Sequence, residues 1–352
     1  MKKSIILCVA IFAAFTAFAQ NTMATLNHND TVTVYYGIGA LRRAYTAAVD
    51  GDVITLSSGT FYATSINKAV TIRGAGMCYD SLTNTYPTIL ADSSSTVSGI
   101  YVLSVAGNDT QRLEIEGVWW TPYNVRYGSL RNALFSKVRF SSSFHVHVGN
   151  RCNYSYCQFI RCIFQGGLYN DSNCVSNTFI NCAISSIPDG HYTLYNCVAS
   201  VTGSQFTAYN SILFTLYSGP TYPYTNCSAS VYNCIGFAWG TNAAANLNYF
   251  SAIQSAYNHT IYGNNKFAQV FRTAPLTPGS AISFDYDSQK FFLTDSIIAV
   301  YPGSDGTQVG IYGGAAPFNP RPDYIRIQQC IVAPRTTLDG KLNVDIEVIN
   351  EH

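Results

Sequence analysis

The sequence predicts an all-β fold in which one strand recurs along the chain. Six similar strand-like segments follow one another, other strand-like segments precede them, and charged residues make up only 11% of the 352 residues. A strand that recurs at a period of about 19 residues is typical of a coiled β architecture. The chain is 47% hydrophobic, which excludes intrinsic disorder and allows a large core.

The recurring strand carries one small residue at the same place in each copy. The aligned residues lie 24, 20, 15, 14 and 23 residues apart and are Val138, Cys162, Cys182, Cys197, Ser211 and Cys234. The intervals of 15 and 14 are short, so they predict very tight turns or one copy out of register. Residues 116–119 form an earlier, degenerate copy.

The cysteines of the repeat predict a column of buried thiols. Equivalent residues of stacked parallel strands lie about 4.8 Å apart and point the same way, and a free cysteine packs as a small hydrophobic residue. Oxidised cysteine pairs and a metal site are the alternatives. Parallel side-chain directions disfavour a disulfide, and the lack of a C-x-x-C pair disfavours a metal site. A second, looser column is predicted from Cys157, Cys174 and Cys227.

Asparagine precedes the small residue in four copies. Such a row predicts a corner stack, in which the amides bond to one another and to backbone groups at the turn. A row that faces a ligand is the alternative. The four residues are Asn181, Asn196, Asn210 and Asn233.

The residues before the repeat predict several short elements. Residues 31–34 alternate as in a strand, and residues 39–49 have the apolar spacing of a short amphipathic helix. Strands are predicted from residue 53, at 57–62 and at 69–73, with turns at Gly-containing segments between them.

These motifs carry a resemblance to a known superfamily. The helix followed by GDVITL, GTFY and VTIRGAG, within residues 39–76, resembles the opening of pectin-lyase-like right-handed parallel β-helix proteins. Residues 276–314 resemble the closing segment of secreted β-helix proteins of Bacteroidetes type, although Ser283 stands where they carry Asp. The resemblance implies a right-handed parallel β-helix, a solenoid, over residues 20–316, with a short N-terminal capping helix. Residues 317–352 are then a tail with one add-on strand near 342–349.

The first residues predict secretion. Lys2 and Lys3 precede an apolar stretch, and Ala17-Phe18-Ala19 is typical of a signal-peptide cleavage site. We therefore expect residues 1–19 to be removed after Ala19, and the mature chain to be extracellular, periplasmic or at the cell surface. No later stretch is long enough to predict a membrane span.

Acidic residues are scarce where the repeat is clearest. Between Thr121 and Ser280 the only carboxylates are Asp171 and Asp189. A glycosidase usually needs two carboxylates around the bond it cleaves, and the enzymes of the resembled superfamily use several Asp residues or an Asp-rich calcium site. We therefore predict no metal and no cofactor. A net charge of +1 likewise predicts no nucleic-acid partner.

One enzymatic hypothesis remains open, a metal-independent polysaccharide lyase. In such a reaction a neutral His or Tyr abstracts the proton next to a uronate carboxylate, while Arg neutralises that carboxylate. His145 and His147 share one face of a predicted strand. The candidate catalytic residues are His145, His147, Arg139, Arg161 and Tyr154.

The preferred hypothesis is a non-catalytic protein that contacts carbohydrate or acts as an adhesive or envelope component. Tyr and Trp combine an apolar face with a polar tip, which suits contact with sugar rings, and loops on a rigid scaffold often carry binding sites. A purely structural spacer is the third possibility. The candidate ligand-binding residues are Tyr217, Tyr222, Tyr224, Trp119, Trp120 and Trp239.

Overall fold

A computed structural model describes most of the chain between residues 22 and 349. The described ranges are 22–92, 103–121, 128–141, 147–148, 151–168, 174–187, 190–201, 205–216, 229–239, 257–264, 267–273, 282–322, 326–332 and 344–349. The predicted signal peptide lies outside them.

The described elements are mostly short strands. In chain order the strands are β1 (Met23–His28), β2 (Thr31–Tyr36), β3 (Val53–Leu56), β4 (Gly59–Tyr62), β5 (Thr71–Arg73), β6 (Thr88–Ala91), β7 (Val105–Ala106), β8 (Glu114–Trp120), β9 (Leu130–Arg131), β10 (Leu134–Phe140), β11 (His147–Val148), β12 (Arg151–Cys152), β13 (Tyr154–Ser155), β14 (Gln158–Ile160), β15 (Ile163–Phe164), β16 (Asn177–Ile180), β17 (Ala183–Ile187), β18 (Tyr192–Tyr195), β19 (Val198–Val201), β20 (Thr207–Tyr209), β21 (Ile212–Leu216), β22 (Ser230–Trp239), β23 (Tyr257–Asn264), β24 (Arg326–Val332) and β25 (Val344–Ile349). The helices are α1 (Ala40–Ala47), α2 (Phe267–Val270) and α3 (Asp295–Val300).

The predicted helix and early strands are confirmed. Helix α1 buries Leu41, Ala44 and Tyr45 against β1 to β4. It follows an antiparallel hairpin of β1 and β2, whose turn residues Asn29 and Asp30 have φ of 48° and 61°. Positive φ at both residues is the geometry that the tightest hairpin turn requires.

The main sheet corrects the predicted right-handed parallel β-helix. It has 18 strands, and ten of them form a closed ring of parallel pairings, β10–β14–β16–β18–β20–β22–β21–β19–β17–β15 and back to β10. The sheet is therefore a closed ten-stranded parallel β-barrel with further strands outside the ring, and the prediction of an open solenoid is wrong.

Two long strands close the ring. β10 and β22 each continue through a residue in the left-handed region, Lys137 with φ of 52° and Asn233 with φ of 52°. Each strand therefore bends at that residue and pairs with one set of strands before the bend and with a second set after it. We call the first set row A (β14, β16, β18, β20) and the second set row B (β15, β17, β19, β21).

The register confirms the spacing of the sequence repeat, including its short intervals. Arg139 pairs with Ile163, which pairs with Ala183, which pairs with Val198. Val198 then pairs with Ile212, and Ile212 with Ile235. The degenerate copy is also real, because β8 pairs along its length with β10.

The interior of the barrel is filled with stacked side chains. Phe135, Phe159 and Phe179 stack with ring centroids 5.0 and 4.8 Å apart. The predicted thiols within the described residues lie in the same core, are completely or almost completely buried, and form no disulfide there, whereas Cys227 lies outside the described residues. The Cys162 amide donates to the Cys182 sulfur at 3.4 Å, and the Cys182 thiol lies within hydrogen-bonding distance of Phe159 O at 3.2 Å and of Ile180 O at 3.3 Å.

The residue before the small residue of each repeat lies against a C-terminal segment, which was not predicted. These residues have φ between 47° and 55° and are Lys137, Arg161, Asn181, Asn196, Asn210 and Asn233. We call residues 302–322 the strap, because it runs along this column from the last repeat to the first. Asn233 donates to Pro302 O at 3.0 Å, Asn181 donates to Gly313 O at 2.7 Å, and Lys137 donates to Arg321 O.

The asparagine column therefore differs from the predicted stack. Within the described part of the column, Asn233 alone donates to the next amide, that of Asn210, at 2.9 Å. Gly314 shows how closely the strap fits, because its φ is +76° and an added Cβ would lie 2.9 Å from Asn196 Oδ1. Only glycine adopts that conformation there without strain.

The C-terminal third also covers row B from outside. Ile163, Val198 and Ile212 point away from the barrel core and pack against a second apolar cluster that includes Phe267 and Phe284. Within the predicted tail, Phe318 belongs to this cluster, and β24 and β25 form a separate antiparallel pair rather than one strand.

Candidate functional site

Several residues predicted to act on a ligand have structural partners. Arg139 is 4% exposed, donates to Asp285 at 2.8 Å and to Asp287 at 3.1 Å, and lies 4.2 Å from the centre of the Trp119 ring. Tyr154 is completely buried in the barrel core. Arg161 donates to Ala316 O of the strap at 3.3 Å. These three residues hold the fold together and are not gathered around one cavity.

Of the aromatic residues predicted to bind a ligand, two also have structural roles. Trp120 is buried in the core, and the Trp119 indole donates to Ser141 below the Arg139 guanidinium. The backbones of His147 and Trp239 lie in β11 and β22, and nothing is described of their side chains. His145, Tyr217, Tyr222 and Tyr224 lie outside the described residues.

The outer face of row A is the surface on which polar and aromatic side chains gather. Row B is covered on its outer face, but the outer face of row A is accessible to solvent. The strand register aligns two columns of side chains there, because alternate residues of a strand share a face. The hydroxyl column is Thr178, Thr193 and Thr207, and the tyrosine column is Tyr195, Tyr209 and Tyr232.

The tyrosine column is ordered by ring stacking. The Tyr195 and Tyr209 ring centroids are 5.1 Å apart at an interplanar angle of 8°, and those of Tyr209 and Tyr232 are 4.9 Å apart at 10°. Tyr195 and Tyr232 are 40% and 37% exposed. Stacked rings lose little further side-chain freedom on binding, so the column is a preformed polar and aromatic surface.

Two adjoining cavities flank the hydroxyl column. The first has a volume of about 530 Å³ and is lined by Ser176, His191, Tyr192, Thr193, Gln205, Phe206 and Thr207. The second has a volume of about 650 Å³ and is lined by Ala106, Gly107, Asn108, Asp109, Arg131, Asn132, Tyr156, Gln158, Ser176 and Thr178. They share Ser176, and together we call them the corner groove.

The local backbone creates this groove. Asn132, Tyr156 and Ser176 all have left-handed φ, between 53° and 56°, so the chain turns sharply just before β10, β14 and β16. The turn separates row A from a small sheet of β7, β9 and β13. The groove lies along that corner, with the hydroxyl column as one wall.

The charges in the groove are few. Its second cavity contains Arg131 and Asp109, and its first contains His191. The Arg131 guanidinium lies 5.0 Å from the centre of the Tyr156 ring, which is 47% exposed, and Asn132 donates to Asp109 at 3.2 Å. The described residues bring no three His, Cys, Asp or Glu side chains together in a group that could hold a metal ion.

The buried thiols do not add a nucleophile. Burial raises the pKa of Cys157 and Cys234 to about 12 and that of Cys182 well above its usual value. Because the thiolate is the reactive form, these groups are inert at neutral pH.

Sequence reasoning missed the groove, although one signal was present. The repeat reads Thr-Phe-Ile, Thr-Leu-Tyr, Thr-Ala-Tyr and Ser-Val-Tyr immediately before the asparagine position. Thr and Tyr therefore alternate around a buried residue in successive copies, which predicts two exposed columns. The cavities have no such signal, since they depend on three left-handed residues that differ in type.

Comparisons with protein-family models, with curated proteins and with solved structures match nothing to this chain. The resemblance to pectin-lyase-like proteins therefore stays a prediction. Among the described residues, no helix is both long and apolar enough to cross a membrane.

Proposed function

We propose that this protein is secreted or held at the cell surface and binds carbohydrate without cleaving it, as an adhesive or envelope component. The observation that carries the proposal is the corner groove, in which the hydroxyl column lines both cavities. The support for secretion is the signal-peptide pattern of residues 1–19.

The lining of the groove suits sugar hydroxyls. Thr and Ser hydroxyls both donate and accept hydrogen bonds, and Asn and Gln amides do the same with two separate groups. The groove provides Thr178, Thr193 and Thr207, with amides from Gln158 and Gln205. A ligand with a dense set of alternating donors and acceptors satisfies such a wall without leaving buried polar groups unpaired.

The shape of the groove favours the binding of an internal stretch of a polysaccharide over the binding of a single sugar. The two cavities adjoin at Ser176 and follow the direction in which the strands stack. The tyrosine column runs parallel to them, two residues further along each strand. A linear polysaccharide lying along the rows therefore contacts several repeats at once, and each repeat presents similar groups.

The small number of charges favours a ligand with few charges. Arg131 is the one cation among the described residues that line the groove, and Asp109 is the one carboxylate. A highly sulfated or phosphorylated chain would find little compensating charge along the described lining of the first cavity, whose titratable side chains are His191 and the buried Tyr192.

A panel experiment tests the proposal. The protein is incubated with neutral and uronate-containing polysaccharides, binding is read by affinity electrophoresis, and the polymers are then analysed by mass spectrometry. Retardation by at least one polymer, recovered intact, is the expected result. No retardation by any polymer of a broad panel would contradict the proposal.

The second candidate is the metal-independent lyase, favoured by one observation. Arg131 and Tyr156 lie together in the groove, and these are two of the residue types that the reaction needs. They are not the residues predicted from the sequence. Unsaturated uronate fragments that disappear with Tyr156→Phe would establish this function instead.

A further inference from the structure

The hairpin strand β2 is an exposed sheet edge. Among the described strands it pairs only with β1, starting with His28 opposite Thr31. In a hairpin with a two-residue turn, hydrogen-bonded pairs alternate from that first pair. The backbone groups of Val32, Val34 and Tyr36 therefore point away from β1. The bond from Gly37 N to Thr22 O agrees with this alternation.

The same three residues expose apolar side chains. Val32, Val34 and Tyr36 are 60%, 41% and 61% exposed, whereas Tyr35 on the other face packs against the barrel core. Natural sheets usually protect such an edge with lysine, proline or a bulge. β2 has none of these over its six residues.

We propose that β2 pairs antiparallel with β2 of a second copy of this chain, around a two-fold axis at Val34. In that register Val34 lies opposite Val34, and Val32 lies opposite Tyr36. All three apolar side chains then share one face, as antiparallel partners must. A register shifted by one residue would place Val32 opposite Tyr35, whose side chain points to the core.

Charge complementarity supports a second copy over another partner. β2 itself contains no charged residue, so self-pairing brings no repulsion along the strand. The register places Asp30 of one copy opposite Ile38 of the other. The exposed Arg43 guanidinium is held next to Ile38, because it donates to Tyr36 O and lies close to Gly39. Tyr36 O has a second lone pair, which accepts the Val32 N–H of the second copy. Two-fold symmetry produces the Asp30 and Arg43 contact twice.

Sedimentation equilibrium of the purified protein tests the dimer, independently of any glycan. We expect a reversible dimer for the unmodified chain, and at least tenfold weaker association for Val34→Lys. Val49→Lys is the matched control, because Val49 is 51% exposed but lies beyond α1. A chain that is monomeric up to its solubility limit, or a Val34→Lys variant that dimerises like the control, would overturn the proposal.

Two further variants test the register. Val34→Pro removes an outward-pointing N–H and replaces the valine side chain, but it leaves the hydrogen bonds to β1 in place. We expect it to weaken the dimer as Val34→Lys does. Asp30→Asn keeps a residue that tolerates positive φ while removing the charge. We expect it to weaken the dimer several-fold at low salt, and an unchanged dissociation constant would contradict the predicted register. Circular dichroism melting curves check that each variant is folded.

Discussion

Asn181 donates its side-chain amide to Gly313 O at 2.7 Å and to Ile311 O at 2.8 Å. The two bonds join the middle of the repeat to a segment more than a hundred residues later in the chain. Asn181 is buried and has φ of 52°, so one residue provides both the bend between rows A and B and the anchor for the strap.

Removing this amide should loosen the strap. Asn181→Gly retains the left-handed backbone and removes only the side chain. Gly313 O then loses its donor, whereas Ile311 O keeps the Phe318 N–H at 2.7 Å. We expect a loss of about 1–3 kcal/mol in the free energy of unfolding. Asn84→Gly is the control, since Asn84 has the same φ but is exposed and does not contact the strap. Equal losses in urea denaturation of the two variants would contradict the role of the strap.

The phenylalanine stack should be a centre of stability. Phe159 lies between Phe135 and Phe179 in the barrel interior. Phe159→Ala leaves a cavity that the neighbouring rings cannot fill, so we expect a loss of about 3–5 kcal/mol. Phe292→Ala, at a half-exposed position, should cost much less. Chemical denaturation compares the two.

Arg139 should matter for stability and not for ligand binding. Its guanidinium is buried between Trp119 and two carboxylates of the C-terminal region. Lysine cannot reproduce this planar, forked geometry. We expect Arg139→Lys to lower the melting temperature and to leave polysaccharide retardation unchanged. A folded Arg139→Lys variant that no longer binds polysaccharide would contradict this assignment.

The buried thiols should make stability depend on alkaline pH. The pKa of Cys234 is raised to about 12 in the folded chain by burial, whereas an unfolded thiol has a pKa of about 8.5. A raised folded pKa contributes stability that is complete below the unfolded value and is lost as the pH rises toward the folded value. Stability should therefore fall between about pH 8.5 and 12.

The Cys234→Ala variant isolates this contribution. Tyrosines and lysines also titrate in that range, so the measured quantity is the difference in slope between the unmodified chain and the variant. We expect a shallower decline for Cys234→Ala. Identical slopes in denaturant titrations across this range would contradict the account of the thiol.

The sequence predicted those features that depend on local pattern. Helix α1, the early strands and the thiol column follow from apolar spacing and from one aligned residue per repeat. The closure of the barrel was not predictable, because it depends on Lys137 and Asn233 bending two strands instead of ending them. The strap was also missed, since its bonds join asparagines to main-chain carbonyls that no residue type marks.

Several of the predicted site residues lie in the interior of the fold. The chosen Arg139, Tyr154 and Trp120 are residue types that bind ligands when exposed, but here they are buried. Their burial follows from strand register and, for Arg139, from the packing of the C-terminal region, neither of which a single sequence provides.

The most direct test of the central claim uses one polysaccharide that retards the unmodified protein. Its affinity is measured for two variants in which a threonine is replaced by arginine. Thr193 lies in the hydroxyl column and lines the first cavity, whereas Thr46 is exposed on α1 and lines neither cavity. Thr193→Arg should weaken binding at least tenfold by filling the groove, and Thr46→Arg should leave the dissociation constant unchanged. Equal affinity of the two variants would show that carbohydrate does not bind in the corner groove.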